Sequence, residues 1–379
     1  MYKAMKIRLL PTKEQEEKML KTINVCRFAW NWGLNYRNNF YKETGKSIKG
    51  RQIRSEFTKF KKTEGFEWIN EVSSKAYENE FDKLDVAFNR FFKKISKYPK
   101  FKKKKNQRKS FHCRNDNFNF NFINNTCSIE KVGRIKFKSD RKIPKLKKYS
   151  NITCSFDGKY WILSFGVEVE KQDFQLTNET IGIDLGIKTL MTLSDGNIVN
   201  NINKSKKVKE LEKKLKRLQR QCSRKYKMNK EGNKFKKTQN IIKLEKEITM
   251  LHRRLTNIRT NEIHQATNSL MKSLPKTIVL EDLNVKGMMK NRKLAKSVMN
   301  CKFYEIRRQI EYKSKYYGIE VIIADRWFPS SKTCNCCGSV DKDLKISDRI
   351  YKCSCGYIED RDLNASYNLR DYGVNLTRK

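Results

Sequence analysis

The sequence predicts an α/β protein in which helical, all-β and mixed segments follow one another. Three observations predict it. Residues 11–97 carry apolar residues at helical spacing, most clearly in VSSKAYENEFDKLDVAFNRFFKKI. From 98 to 172 the period changes to two. From Ile181 onward, short apolar runs that end in carboxylates alternate with long amphipathic stretches.

Residues 2–9 place Met5, Ile7 and Leu9 on one face and read as a strand that Pro11 ends. Thr12 with Gln15 has the pattern of a capping box and opens a helix through Met19, Leu20 and Ile23, past Trp30. Helix is expected to about residue 97. In the alternating region, Phe118, Phe120 and Phe122 interleave with asparagines, Ile135 and Phe137 with lysines, and YWILSFGVEVE closes the series. These segments predict antiparallel strands forming a small β-barrel that the first strand joins. The three phenylalanines are expected to pack in a core rather than stack on bases. TIGIDLGIKTLMTLSDGNIV predicts three strands with a tight glycine turn and an Asp-Gly hairpin. Between 203 and 262, Val208, Leu211, Leu215 and Leu218, then Ile241, Leu244, Ile248, Leu251, Leu255 and Ile258, keep heptad-like spacing around the polar NKEGNK. This predicts a helical hairpin, read as a structural brace with a basic face. TIVLEDLN is a further strand, a basic helix is expected to about residue 316, and IEVIIAD is the last strand of this part.

The chain has 379 residues, enough for two or three domains, with 85 Lys plus Arg against 41 Asp plus Glu and a formal charge of +44. A protein so basic repels itself without a polyanion, which points to nucleic acid. The Lys102–Lys105 run and RKIPKLKK are read as phosphate contacts. Nothing approaches the roughly 20 apolar residues of a membrane span, and the start lacks the apolar core of a signal peptide. Six of the eleven cysteines are scattered and five crowd between 334 and 355, a distribution that fits a reducing cytosol and a bound metal.

Asp184 lies inside the apolar IGIDLG, Glu281 ends IVLED, and Asp362 begins the helical DLNASYNLRDY. A carboxylate in an apolar strand is costly unless something compensates it, and a divalent cation does. Acids from two strands and a helix at one sheet edge would make a site for two Mg²⁺ ions, suited to phosphodiester hydrolysis. Cys334-x-x-Cys337, then Cys353-x-Cys355, is close to a two-knuckle structural Zn²⁺ site; the second knuckle is one residue short, and Cys336 offers a spare thiol. Three histidines without a His-x-His pair argue against a tyrosine-type transposase or an HNH nuclease, and no Walker A sequence is present.

GIDLG, LEDLN, SSKTC..CG, CSCG and DRDLNASYNL, in this order, together with the opening KIRLLPTKEQ…CRFAWNWGL, resemble the transposon-encoded TnpB proteins, relatives of type V CRISPR effectors. The resemblance covers nearly the whole chain. It implies an RNase H-like RuvC nuclease domain (173–326 and 358–379, hairpin 203–262) with a zinc ribbon (327–357) inserted before the final helix. It also implies a helical REC-like domain (11–97) and a β-barrel WED-like domain (1–10 and 98–172). Asp184, Glu281 and Asp362 then match the catalytic triad; Asp362 is preferred over Asp360 because it stands two residues before Asn364. The implied activity is RNA-guided cleavage of double-stranded DNA beside a short target-adjacent motif, with a guide RNA derived from the transposon end. A monomer in a bacterial or archaeal cytoplasm is expected. Lys75 and Asn79, Lys102 and Lys103, and Arg114 and Asn115 are the nucleic-acid contacts expected outside the nuclease. A compact CRISPR effector with the same chemistry, and a guide-directed repressor that does not cut, are the alternatives.

Overall fold

The computed structural model describes residues 2–105, 107–116, 118–146, 148–170, 172–345 and 347–377. Met1, Asn106, Asn117, Lys147 of the RKIPKLKK run, Lys171, Ile346 and residues 378–379 lie outside the described residues. The chain divides into two compact units, residues 1–170 and 171–379.

In the first unit, strand β1 (Tyr2–Leu10) buries Ile7 and Leu9. Helix α1 (Lys13–Thr44) starts at a reciprocal cap: Gln15 N–H donates to Thr12 Oγ1 and Thr12 N–H to Gln15 Oε1. It ends at Gly45, whose φ of 67° is the left-handed conformation that favours glycine. Helices α2 (Gly50–Phe60) and α3 (Ser74–Phe92) pack on each other through Phe57, Tyr77 and Phe81, and Phe57 also meets Phe28 and Trp32 of α1.

Strands β2 (Ser110–His112), β3 (Asn119–Asn121), β4 (Thr126–Ile129), β5 (Gly133–Lys138), β6 (Ser150–Phe156) and β7 (Trp161–Glu168) join β1 in one antiparallel sheet. Its order is β2-β6-β7-β1-β5-β4-β3. The expected closed barrel is therefore an open half-barrel. Among the described residues its edges are β2 and β3, each of three residues and too short to supply a closing ladder. Phe118 and Phe120 pack edge-to-face in the core, Phe120 against Tyr149 and Phe165. Helices and sheet share this one core.

The second unit is built on the sheet β10-β9-β8-β13-β14, comprising β8 (Thr180–Asp184), β9 (Thr189–Leu193), β10 (Ile198–Asn200), β13 (Thr277–Glu281) and β14 (Glu320–Ala324). β9 runs antiparallel to β8, whereas β13 pairs in parallel with both β8 and β14. Strand β13 is buried between two parallel neighbours and reads as a continuous apolar run for that reason. The hairpin is α4 (Lys206–Met228) and α5 (Gln239–Lys272), joined by the small ribbon of β11 (Lys230–Glu231) and β12 (Lys234–Phe235). Val208, Leu215, Leu218, Leu251 and Leu255 form its seam. Helix α5 runs ten residues past the expected end, because its final turns bury Ile263, Leu270 and Met271 in the second unit's core.

The single basic helix expected before β14 is three: α6 (Val285–Met288), α7 (Ala295–Cys301) and α8 (Phe303–Tyr317), with Lys302 at φ 54° breaking the last two apart. β15 (Ile350–Lys352) and β16 (Ile358–Asp360) form the cysteine ribbon, and α9 (Arg361–Thr377) ends the chain. Among the described residues no helix is long and apolar enough to cross a membrane.

Candidate active site

Asp184 and Glu281 are the last residues of β8 and β13. The parallel register pairs Ile183 with Leu280, which sets the two carboxylates side by side at one sheet edge. Helix α9 crosses the same sheet closely. A Cβ on Gly182 would lie 2.1 Å from Ser366 O and 2.4 Å from Arg370 N, and one on Gly373 would lie 2.4 Å from Val279 Cγ2. Only glycine at these two points lets helix and strands approach so far, and that approach carries Asp362, in the first turn of α9, toward the two strand-end acids.

The electrostatics reflect the crowding. Asp184 is 8% exposed. Its carboxyl is held well above the usual carboxylate range, first by burial and then by the negative charges of Glu281 and Asp362. Burial likewise lifts Glu281 to about 7, although its carboxylate accepts a hydrogen bond from the Leu185 N–H. Asp362 accepts from Arg361 Nη2 at 3.0 Å and lies 3.9 Å from Arg349 Nη1. Asp360, its near neighbour, caps the helix: Oδ1 accepts from the N–H groups of Asp362 and Leu363. A buried carboxylate pressed by two more is an oxygen donor set that a divalent cation relieves and a monovalent side chain relieves only in part.

The thiols of Cys334, Cys337, Cys353 and Cys355 lie within 4.8 Å of one another, with Cys334–Cys355 at 3.7 Å and Cys337–Cys353 at 3.6 Å. Tetrahedral ligation at about 2.3 Å per Zn–S bond requires sulfur spacings of about 3.8 Å, so the set fits zinc. Cys336 is exposed and outside the cluster. The Cys355 N–H, and after it Ser339 Oγ at 3.2 Å, pull the Cys353 thiol down to about 6, and Ser339 Oγ, 3.1 Å from its sulfur, lowers Cys337.

A group of side chains that sequence reasoning missed ties this ribbon to α9. Asn364, Asn368 and Asp371 form one polar stripe on the helix. Asn364 Nδ2 donates to Thr333 O, and Asn368 Nδ2 donates to Ser330 O and Thr333 O. Asn335, between the first two zinc-spaced cysteines, donates its N–H to Asn364 Oδ1 and its Nδ2 to Asn368 Oδ1 and Asp371 Oδ2. The i, i+4, i+7 spacing of Asn364, Asn368 and Asp371 on one helix was a readable signal. Their partner Asn335 was not, because nothing local to it marks the contact.

In the first unit, Lys75 pairs with Glu78 at 2.8 Å, and Asn79 is half-buried on the same helix. Lys102 reaches Glu80 at 2.6 Å and covers the Trp30 ring at 3.8 Å, whereas Lys103 is exposed. Arg114 pairs with Asp116, and Asn115 Oδ1 is buried with no hydrogen-bond partner among the described residues.

Three family profiles match the chain: "Helix-turn-helix domain" over residues 1–46, "Probable transposase" over 164–292, and "Cas12f1-like, TNB domain" over 303–369. Residues 1–46 hold β1 and the single helix α1 rather than two helices and a turn. A Streptomyces pristinaespiralis protein named "Putative RNA-guided DNA endonuclease" is 32% identical over 98% of this chain and 89% of its own. The Escherichia coli protein InsQ, of the same description, is 28% identical over 97% of this chain and 91% of its own. Among solved structures, a Cas12f1 chain from a cryo-EM complex with sgRNA and target DNA shares the fold, with a TM-score of 0.60 at 15% identity over 98% of both chains. Identity at that level along almost the full length of the Streptomyces relative settles the family, and this chain belongs to the TnpB family of transposon-encoded proteins.

Proposed function

We propose that this chain is an RNA-guided DNA endonuclease that cleaves double-stranded DNA beside a short target-adjacent motif, and that Asp184, Glu281 and Asp362 carry the cut. One observation carries the reading: Asp184 and Glu281 end the adjacent parallel strands β8 and β13, and α9, which crosses them closely at Gly182, carries Asp362 in its first turn. The sheet order and parallel register support an RNase H-like nuclease domain. The names and partners of the relatives support guide RNA and target DNA as partners.

The three acids would hold two Mg²⁺ ions, which supply an acidified attacking water and stabilise the leaving oxygen. The chain's own residues prepare that site. The Leu185 N–H fixes Glu281, Asp360 fixes the start of α9, and Arg361 and Arg349 flank the Asp362 carboxylate. Zn²⁺ on Cys334, Cys337, Cys353 and Cys355 would stiffen the ribbon that α9 grips through Asn364 and Asn368. The helices and half-barrel of the first unit are assigned to guide RNA and the target-adjacent duplex, acting as REC-like and WED-like parts. Exposed Lys103 and the half-buried Asn79 are the better placed contacts there. Lys102, Lys75 and Arg114 must first release acidic partners. A charge of +44 suits a channel for guide, target strand and displaced strand. A monomer acting in a bacterial or archaeal cytoplasm, with a guide drawn from the transposon end, completes the reading. All three acids are intact, which opposes a repressor that does not cut.

The test is expression with the flanking genomic element, sequencing of the co-purified RNA, and incubation of the particle with matched plasmid in Mg²⁺ or EDTA. A discrete RNA, with Mg²⁺-dependent linearisation that Asp184→Ala abolishes, is the expected result. Binding without cutting would make the protein a repressor.

A further inference from the structure

The chain has five tryptophans. Trp30 and Trp161 are buried and Trp32 and Trp68 pack against the first unit's core, but Trp327 is 84% exposed, in the loop that follows β14. Its neighbours in the loop are bonded to the rest of the unit. Asp325 N–H donates to Tyr372 Oη, Trp327 N–H to Asp325 Oδ1, Phe328 N–H to Asp325 O, and Ser330 N–H to Phe328 O. Arg326 is ion-paired to Asp282, and the Phe328 ring packs on Tyr372 with centroids 4.8 Å apart. The turn that carries the indole is thus held by hydrogen bonds, and the ring projects from it into solvent.

The position of that turn is what matters. Ala324, three residues before Trp327, is the register partner of Glu281. Asp282, which anchors Arg326, directly follows Glu281, and Tyr372 belongs to the helix whose first turn holds Asp362. The loop bridges two of the three elements that bear the acids.

We infer that Trp327 is a stacking platform for one base of the DNA strand whose phosphate lies at Asp184, Glu281 and Asp362. The inference rests on the nuclease reading above. An indole face pairs with any base, so it holds a strand in place without reading its sequence, as a guided enzyme requires. Its hydrogen-bonded turn spares the backbone ordering cost that a loose loop would meet on binding. Trp327 is a positioning residue and takes no part in bond breaking.

The test uses the purified ribonucleoprotein and matched duplexes carrying a single abasic site, moved one nucleotide at a time across each cut. Trp327→Ala should slow cleavage roughly 5- to 150-fold, the range expected for one lost base stack. An abasic site at one position should slow the unmodified enzyme by the same factor and add nothing to Trp327→Ala. Trp327→Phe should recover most of the rate. Cleavage by Trp327→Ala at the unmodified rate would overturn the inference. So would a loss that multiplies with every abasic position, which is the mark of a protein-docking or merely structural role. If the intact particle cuts nothing, the nuclease reading has failed separately. Trp327 is then judged by oligodeoxythymidylate binding: weakening in Trp327→Ala with recovery in Trp327→Phe supports stacking, and equal binding refutes it.

Discussion

Truncating Asn368 to alanine tests whether the zinc-spaced ribbon is locked to the helix that carries Asp362. Asn368 is 5% exposed, and its Nδ2 donates to Ser330 O at 2.8 Å and to Thr333 O at 2.7 Å, while its Oδ1 accepts from Asn335. The losses are unequal. Thr333 O keeps the bond from Asn364 Nδ2, and Asn335 Nδ2 keeps Asp371, whereas the carbonyl of buried Ser330 loses its Asn368 donor. A stranded buried carbonyl costs about 1–3 kcal/mol and an ordinary lost hydrogen bond about 1 kcal/mol, so Asn368→Ala should destabilise the second unit by about 2–4 kcal/mol. For a unit of that size the melting point should fall by roughly 4–16 °C. Scanning calorimetry gives the total, and hydrogen exchange locates it. Faster exchange at the amides of Cys334 and Gly338, with α1 unchanged, is expected. A melting point within about 1 °C of the parent, with unaltered exchange in the ribbon, would refute the clamp.

Two further perturbations probe the ion sites. Glu281 titrates near 7 in the folded chain against an ordinary 4.5, so in chelator its contribution to stability is full below about pH 4.5 and is lost as pH rises through about 7. Urea melts of Glu281→Gln in EDTA should flatten that decline by up to about 3 kcal/mol, while Mg²⁺ should bind the parent more tightly at pH 8 than at pH 5; an unchanged slope in the variant would show that the group is not the one titrating. Cys353→Ala should release about one equivalent of zinc in a chelator-dye assay and expose the ribbon to protease, whereas Cys336→Ala should do neither, and release from Cys336→Ala would reassign the ligands.

Features set by periodicity were open to reading one segment at a time. The cap at Thr12, the hairpin seam of Val208, Leu215, Leu218, Leu251 and Leu255, and the burial of alternating β1 residues follow from local geometry, because side-chain direction repeats every 3.6 or every 2 residues. The acids stood out for a related reason: a carboxylate at the end of an apolar run contradicts its surroundings. Some readings stopped at the limits of local pattern. The basic stretch after β13 breaks between α7 and α8 because Lys302 takes a left-handed conformation while Val298, Cys301, Phe303 and Ile306 all turn into one core. The helical and strand segments of the first unit, distinct in texture, share a single core, since each offers an apolar face and neither covers its own.

What the sequence by itself determined was where apolar periodicity places most helices and strands and which residues are at odds with their surroundings. Tertiary structure alone decided how they meet. It set β13 between β8 and β14, let α9 pass over Gly182 and Gly373, gave Asp360 the helix cap while Asp362 pairs with Arg361, and left Cys336 outside the thiol cluster. Apart from the local contacts of Asp360 and Asp362, these depend on contacts between segments tens to hundreds of residues apart. Such contacts are selected by packing the whole unit at once, and no local pattern encodes that selection.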